Sequence, residues 1–272
     1  MRAAKSLASP PDTLHTGYHR RPKKQPPETA DRNSLLKQST ETAPRSRRCT
    51  HPVIRLYHCA NARSLRPLWA LEETQQAYEL IVLPFPPRVH ARTYLQENPL
   101  GTVPLLIDGA ARMTESAAMC HYIAVRDPLR RIDVDPFDPA YPAYLNYLHH
   151  GEATLTFPQT LVLRYARFEP VERRNPQVVE DYSKWFLARL RGLDALLAKQ
   201  AYVCGDRFTA ADISIGYALM LATETGLASG FAKPIEDYWS RLRTRPAFQA
   251  SIAAQQSAAE KQGVEGDPFS PD

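Results

Sequence analysis

The sequence has no long hydrophobic run, and this absence excludes a membrane-spanning helix. No window of the 272 residues approaches the roughly 18 consecutive apolar residues that such a helix needs. No apolar stretch follows the basic beginning of the chain, as a secretory signal requires. We therefore expect no membrane partner and a cytoplasmic location. The apolar fraction of 43% is still enough to fill the cores of two ordinary domains.

Cysteine is also scarce, and its spacing excludes two common kinds of site. The four cysteines, Cys49, Cys59, Cys120 and Cys204, lie far apart, without CxxC pairs or histidines at metal-ligand spacing. A disulfide framework or a zinc site needs closer and more regular spacing. We predict reduced thiols and no bound metal.

The excess of positive charge, +5 for the whole chain, lies in the first fifty residues. Residues 1–50 contain 11 Lys and Arg against 4 Asp and Glu, whereas the remainder contains 23 against 25. Because the remainder is slightly acidic, we expect no nucleic-acid partner. The basic segment is rich in Pro, Lys, Arg, Ser and Thr and lacks apolar periodicity, which predicts a disordered extension. A transit segment, a nucleic-acid-binding arm and a misassigned start codon are the alternatives.

Residues 51–131 show a mixed pattern of strands and helices. Short alternating or apolar runs predict strands, and apolar residues at three- and four-residue steps predict helices. The Asp108-Gly109 pair is a strong signal for a hairpin between two strands. The predicted elements are strand 53–58, helix 64–76, strand 78–83, a short helix around Tyr94, strands 103–109 and 110–113, and helix 114–125. Their order predicts a layered α/β domain.

Residues 136–263 show only helical patterns. Apolar residues recur at helical spacing between Val178 and Leu197, which predicts one long amphipathic helix. Thr209 and Asp212 precede an apolar run and predict a capping box at a helix start. We predict an all-helical bundle for this domain and a flexible tail for residues 264–272.

Two short segments allow both a structural and a ligand-binding interpretation. Val103-Pro104 begins a predicted strand, where proline suits a sheet edge or a cis turn; a cis turn would free the Val103 backbone for a peptide-like ligand. Glu115 and Ser116 open a predicted helix, where they would hold the ammonium and carboxylate of an amino acid. A plain N-terminal cap is the alternative for this pair.

The turn over residues 59–66 leads into the first predicted helix, whose N-terminus can stabilise an anion. Cys59 or Ser64 would then be a group that handles sulfur. The structural alternatives are an inert buried cysteine and an N-capping serine.

Taken together, these segments resemble the glutathione S-transferase superfamily, and most closely its bacterial members. The matching stretches are LYHCANARSLR at residues 56–66, NPLGTVPLL at 98–106, TESAA at 114–118 and FTAAD at 208–212. The resemblance extends over residues 53–250 in the right order. It implies a thioredoxin-like domain over residues 51–131, an all-helical domain over 136–263, and a homodimer.

The resemblance also implies that glutathione is the co-substrate. Thr102, Val103 and Pro104 would form one glutathione-binding segment, in which Pro104 follows a cis bond and the Val103 backbone pairs with the cysteinyl part. Glu115 and Ser116 would hold the γ-glutamyl end. The helical domain would supply a pocket for a hydrophobic electrophile. Six residues could line that pocket or simply pack the bundle, namely Tyr144, His149, Glu152, Phe157, Leu161 and Tyr165. Of these, Tyr144, His149 and Tyr165 are the predicted lining residues.

In the family, a Tyr, Ser or Cys near the first helix stabilises the glutathione thiolate. We expect Ser64 to do so here, with Cys59 and Asn61 as alternatives. Cys59 stands where many relatives have Ser, and Arg63 stands where relatives with a catalytic Cys tend to carry it. Two other functions remain open: a glutathione-dependent thiol-disulfide reductase using Cys59, and a non-catalytic ligand-binding or interaction protein.

Overall fold

The computed structural model describes residues 53–265. The predicted disordered extension over residues 1–50 therefore lies outside the described residues, as does the predicted tail from residue 266 onward. The predicted domain boundaries at residues 131 and 136 stay predictions. No helix within the described range is long and apolar enough to cross a membrane.

A four-stranded mixed sheet forms the first half of the described chain. Its strands are β1 (Ile54–His58), β2 (Tyr78–Val82), β3 (Leu105–Asp108) and β4 (Ala111–Met113), in the spatial order β2-β1-β3-β4. β1 pairs with β2 in parallel, and β3 pairs with both β1 and β4 in antiparallel fashion. Two helices, α1 (Leu65–Thr74) and α3 (Ser116–Arg126), pack against each other beside this sheet, and the short α2 (Pro87–His90) follows β2. This is the predicted thioredoxin-like half.

The second half is helical. Its α-helices are α4 (Tyr141–His150), α5 (Phe157–Leu163), α6 (Pro176–Arg189), α7 (Arg191–Leu197), α8 (Ala210–Glu224), α9 (Lys233–Arg243) and α10 (Pro246–Gln262). Two π-helical segments, Gly151–Thr156 and Arg164–Phe168, flank α5. Short 3-10 segments lie at Arg92–Gln96, Val171–Arg173 and Leu227–Gly230. The predicted all-helical bundle is thereby confirmed.

The capping box at the start of α8 is also confirmed. The Thr209 backbone N–H donates to Asp212 Oδ2 at 2.8 Å. The buried Asp212 carboxylate also accepts from the Val203 N–H at 3.0 Å and from the Tyr238 hydroxyl at 2.7 Å. Burial raises the pKa of Asp212, so these donors are needed to keep its charge in the interior.

The single long helix predicted between Val178 and Leu197 is wrong, because the structure divides this stretch into α6 and α7. At the division the Leu190 N–H donates to the Leu187 carbonyl, three residues back, at 3.2 Å. The turn is therefore tightened locally, and Gly192, a poor helix former, follows it. The apolar spacing continues through the break, so periodicity alone did not locate it.

The two halves share one hydrophobic core. Strand β1 alternates, so that Leu56 joins this large core while Tyr57 packs on the other face of the sheet with Tyr94. Helix α8 is apolar around its whole circumference and buried along nearly all its length. Trp69 of α1 packs edge-on against Phe248 of α10, with ring centroids 4.8 Å apart. Packing of this kind fixes the first half against the second.

Gly151 permits the closest approach between α4 and α8. A Cβ atom at this position would lie 2.5 Å from the Ser214 backbone carbonyl oxygen, which no real side chain tolerates. The Ser214 hydroxyl donates to the Leu148 carbonyl across the same contact at 2.6 Å. The π-helical segment begins at Gly151, so this contact sets where Glu152 projects toward α1.

Candidate functional site

A cavity of about 570 Å³ lies between the two halves of the molecule. One wall comes from the loops next to β1, β2 and β3 and from the start of α3. The opposite wall comes from the first π-helical segment, α5, the second π-helical segment and α8. The cavity is therefore the place where a ligand would contact both halves at once.

The loop before β3 forms the floor of the cavity through Thr102, Val103 and Pro104. The Val103-Pro104 peptide bond is cis, as the resemblance implied. Two hydrogen bonds to the Thr102 carbonyl oxygen fix this loop. The buried Asn98 side chain donates one at 2.8 Å, and the Tyr94 hydroxyl donates the other at 2.7 Å. Within residues 53–265, neither the amide nor the carbonyl of Val103 forms a hydrogen bond, so both are free to bind a ligand.

Glu115 and Ser116 lie side by side at the start of α3 and line the same cavity. Glu115 is the exposed N-cap residue, and its side chain makes no capping hydrogen bond. Ser116 is buried, and its hydroxyl oxygen accepts from Arg66 Nη1 at 3.2 Å. Its own O–H is therefore available to donate, beside the positive end of the helix dipole.

Arg66 is fully buried in α1 and connects the two halves. Its guanidinium donates to the Glu152 carboxylate, to Thr156 Oγ1 at 2.7 Å and to the Gly151 carbonyl at 3.3 Å. It also lies over the Tyr217 ring, 4.2 Å from the centroid. This many partners are what a buried cation needs to remain charged.

Arg63 shares the same carboxylate but faces the cavity. Its Nε donates to Glu152 Oε1 at 2.7 Å, and its Nη2 donates to Thr160 Oγ1 at 2.8 Å. Burial by itself would raise the pKa of Glu152, but the charges of Arg66 and Arg63 outweigh it and hold that pKa below its usual value. Glu152 is therefore an anion placed between two cations.

The far side of the cavity is largely apolar. Phe85, from the loop after β2, and Phe168, from the second π-helical segment, face each other with ring centroids 5.5 Å apart. Leu163 and Leu221 continue the apolar wall. Arg164 is also at this end, where it is paired with Glu169 Oε1 at 2.7 Å. Such a surface suits a hydrophobic or aromatic ligand.

The residues predicted to handle sulfur do not line this cavity. Ser64 is fully buried, and its hydroxyl accepts from the Cys59 amide and donates to the Cys59 carbonyl, both at 3.3 Å. Burial raises the pKa of the Cys59 thiol to about 12. Asn61, with a left-handed φ of 54°, accepts from Gln255 Nε2 of α10 at 2.7 Å and lines a different depression. The thiolate role of these three residues stays a prediction.

The three residues predicted for the second-substrate pocket also lie elsewhere. Tyr144 is fully buried and packs against His121, with ring centroids 5.7 Å apart. His149 lies beside a shallow groove on α4, and Tyr165 beside another next to α6. All three are helical residues whose side chains point away from the cavity wall, a property that helical spacing alone does not reveal.

Comparison with known proteins agrees with this architecture. The protein-family model described as the glutathione S-transferase N-terminal domain matches residues 54–131. Glutathione S-transferase hmp2 of Hypomyces subiculosus is 31% identical over 172 residues, which cover 59% of this chain and 78% of that protein. The chain belongs to the glutathione S-transferase superfamily.

Other members are similar over longer stretches. Glutathione S-transferase 3 of Zea mays is 28% identical over 202 residues, which cover 70% of this chain and 88% of the maize protein. A sphingomonad glutathione S-transferase, solved in complex with glutathione, matches with a TM-score of 0.65 at 24% identity. That match covers 74% of this chain and 98% of the sphingomonad chain, and it supports the fold.

Glu152, one of the residues that could line a pocket or pack the bundle, does line the cavity, but sequence reasoning did not identify its partners there. Arg63, Glu152 and Thr160 meet although up to 97 residues separate them in the chain. Phe85 and Phe168 meet across a similar separation. The one available signal was the position of Arg63 at the start of the first helix, next to residues already suspected of binding sulfur.

Proposed function

We propose that this protein is a glutathione S-transferase that binds glutathione and directs its thiolate to a hydrophobic electrophile. The observation that carries the proposal is the composition of the single cavity described above. Free backbone groups at Val103 and the Glu115-Ser116 pair occupy one part, and an apolar wall occupies the other. A two-substrate reaction needs both kinds of surface next to each other.

The glutathione end of the cavity matches a zwitterionic peptide. The Val103 amide and carbonyl would pair with the cysteinyl backbone, in the manner of an added strand. Ser116 and the start of α3 would bind the α-carboxylate, and Glu115 would bind the ammonium group. The sphingomonad glutathione S-transferase with this fold was solved with glutathione bound, which supports glutathione as the co-substrate.

The electrophile end supports an apolar, preferably aromatic, second substrate. Phe85 and Phe168 pack against each other, with ring centroids 5.5 Å apart, and together form an aromatic surface at this end of the cavity. An aromatic substrate that packs against either ring would gain about 0.5 to 1.5 kcal/mol beyond simple burial. Aryl halides are therefore the first electrophiles to assay.

The reductase alternative is less well supported. A cysteine that exchanges disulfides must be accessible and partly ionised. The Cys59 side chain is fully buried, lies 4.0 Å from the Pro84 carbonyl oxygen and has a raised pKa. The homodimer and the cytoplasmic location stay predictions from the sequence.

Two measurements test the proposal. Calorimetry with glutathione determines whether the tripeptide binds, and a panel of aryl halides, epoxides and disulfides determines which reaction follows. We expect glutathione binding together with conjugation of aryl halides or epoxides. Turnover of disulfides alone would favour the reductase, and glutathione binding without turnover would favour the non-catalytic protein.

A further inference from the structure

Arg63 places unused hydrogen-bond donors in the cavity, next to the start of α1. The side chain is 34% exposed, and Glu152 and Thr160 hold its Nε and Nη2 from the helical half. Within residues 53–265, its Nη1 forms no hydrogen bond. A guanidinium has five N–H donors in a rigid plane, so fixing one edge leaves the other edge oriented for a ligand.

The charges around Arg63 add up to a surplus of one positive charge. Arg63 and Arg66 share the single carboxylate of Glu152. Arg66 is enclosed by protein groups, so the uncompensated charge is presented at Arg63, where the cavity begins. The other charged or titratable groups around this position are Glu115, Tyr217, Arg88, Arg164 and Glu169.

The neighbouring hydroxyl donors are already engaged. The Tyr217 hydroxyl donates to the Asn61 carbonyl at 3.3 Å, and the Thr160 hydroxyl donates to the Thr156 carbonyl at 3.2 Å. The Ser64 hydroxyl is turned inward to the Cys59 backbone. An anion placed between Val103 and the start of α1 would therefore meet Arg63, rather than any of these three hydroxyls, as a side-chain donor.

We infer that Arg63 is the catalytic residue that stabilises the glutathione thiolate, an inference that rests on the proposed function. The thiol releases its proton to water, and the guanidinium donates to the sulfur anion and lowers the thiol pKa. The sulfur lone pair then forms the S–C bond, while the leaving group departs with the electron pair of the broken bond. Arg63 stays protonated throughout and is consumed in no step.

The thiol pKa of bound glutathione tests this inference directly. Ultraviolet absorbance of the thiolate is titrated in saturated complexes of the wild type, Arg63→Gln, Arg63→Lys and Ser64→Ala. Arg88→Gln, which removes an exposed cation from the same cavity, is the charge-matched control. We expect Arg63→Gln to raise the thiol pKa by about one unit or more, which is about a tenfold loss of thiolate at neutral pH. Arg63→Lys should restore part of the shift, and Arg88→Gln should change it little.

Affinity for S-methylglutathione separates a thiolate role from a carboxylate-binding role. This probe keeps both carboxylates but has no ionisable thiol. If Arg63 acts on the sulfur, Arg63→Gln should bind the probe within about twofold of the wild type, which also demonstrates an intact fold. An equal loss of affinity for glutathione and for the probe would overturn the inference in favour of carboxylate binding.

The remaining outcomes are equally distinct. A lowered thiol pKa in the wild type that survives in Arg63→Gln would overturn the inference while leaving the proposed function intact. The same result with a raised pKa in Ser64→Ala would assign the role to Ser64. Failure of the wild type to bind glutathione or S-methylglutathione at all would instead refute the proposed function, and the inference with it.

Discussion

The two sides of the connection between β1 and α1 differ sharply in exposure. His58, Cys59, Ser64 and Arg66 are fully buried on one side, whereas Arg63 faces the cavity on the other. The buried side contains the residue types that usually suggest reactivity, namely an imidazole, a thiol and a hydroxyl. Their hydrogen bonds hold the loop and the two halves together. Accessibility, rather than residue type, separates structural from reactive groups here.

Arg63 and Arg66 make this contrast within a single residue type. The two arginines are three positions apart in the chain, and both bind Glu152. Arg66 has its charge satisfied by protein groups alone, which is a stabilising arrangement only as long as every partner is present. Arg63 keeps N–H donors on Nη1 that no group among residues 53–265 accepts, so these donors can bind a ligand. Substitutions on the buried side should therefore alter stability, and substitutions on the cavity side should alter chemistry.

The largest effect should come from Arg66→Met. This change removes one of the two cations that bind Glu152, so that Glu152 Oε2 and Thr156 Oγ1 lose their Arg66 donor while Glu152 Oε1 keeps Arg63. We expect the free energy of unfolding to fall by about 3 to 5 kcal/mol, measured by urea denaturation. Arg63→Met is the matched control and should cost about 1 kcal/mol or less. Equal losses in the two variants would remove the contrast between the arginines.

The next effect concerns the pH dependence of stability through His58. Its Nε2–H donates to Gln255 Oε1 at 2.9 Å, and the imidazole is fully buried. Burial lowers the pKa of His58 from 6.5 to about 4. The unfolded chain therefore takes up this proton first, and stability is lost as the pH falls from 6.5 toward 4.

We expect this loss to reach about 3 kcal/mol at pH 4 relative to neutral pH. The comparison is between denaturation midpoints of the wild type and His58→Gln across this range. His150 contributes in the same direction, because burial and the nearby Arg189 also lower its pKa. The difference between the two proteins isolates His58, and parallel pH profiles would contradict the assignment.

The third effect belongs to the cavity side and concerns glutathione affinity. Ser116→Ala removes a buried hydroxyl that can donate to a carboxylate, which should cost about 1.5 to 3 kcal/mol, or about 10- to 100-fold in affinity. Glu115→Gln should cost less, about 1 kcal/mol, because the Glu115 side chain is exposed. Calorimetry measures both. Ser183→Ala on α6, whose hydroxyl donates to the Val179 carbonyl outside the cavity, is the matched control.

Sequence patterns predicted the fold well because its signals are local. The hairpin at Asp108-Gly109 and the capping box at Thr209 each depend on residues within a few positions of one another. The prediction missed α2 and the π-helical segments. The first π-helical segment begins at the contact of Gly151 with Ser214, which a one-dimensional pattern does not contain.

The candidate site was predictable only where its residues are adjacent in the chain. Thr102, Val103 and Pro104 form one segment and Glu115 and Ser116 another, and both line the cavity. Apart from Glu152, the cavity wall from the helical half was not predicted, because contacts such as that of Phe85 with Phe168 require tertiary placement. Tyr144, a predicted lining residue of the pocket, is completely enclosed by the core.

The smallest effect should come from the cysteines, and it sharpens the contrast between buried and cavity-facing groups most directly. Burial raises the pKa of Cys59 and Cys120 to about 12 and that of Cys204 to about 11. Alkylating reagents attack the thiolate, so these groups should be nearly inert in the native state. In a Cys49→Ser background, which removes the remaining thiol, native alkylation at pH 8 should be at least about 100-fold slower than alkylation of the unfolded chain.

Cys59→Ala in the same background should leave conjugation with glutathione unchanged, because the raised pKa of Cys59 keeps its thiol protonated in the wild type. Rapid native labelling located at Cys59 by mass spectrometry would place a reactive group on the buried side, and the reductase would then become the better function.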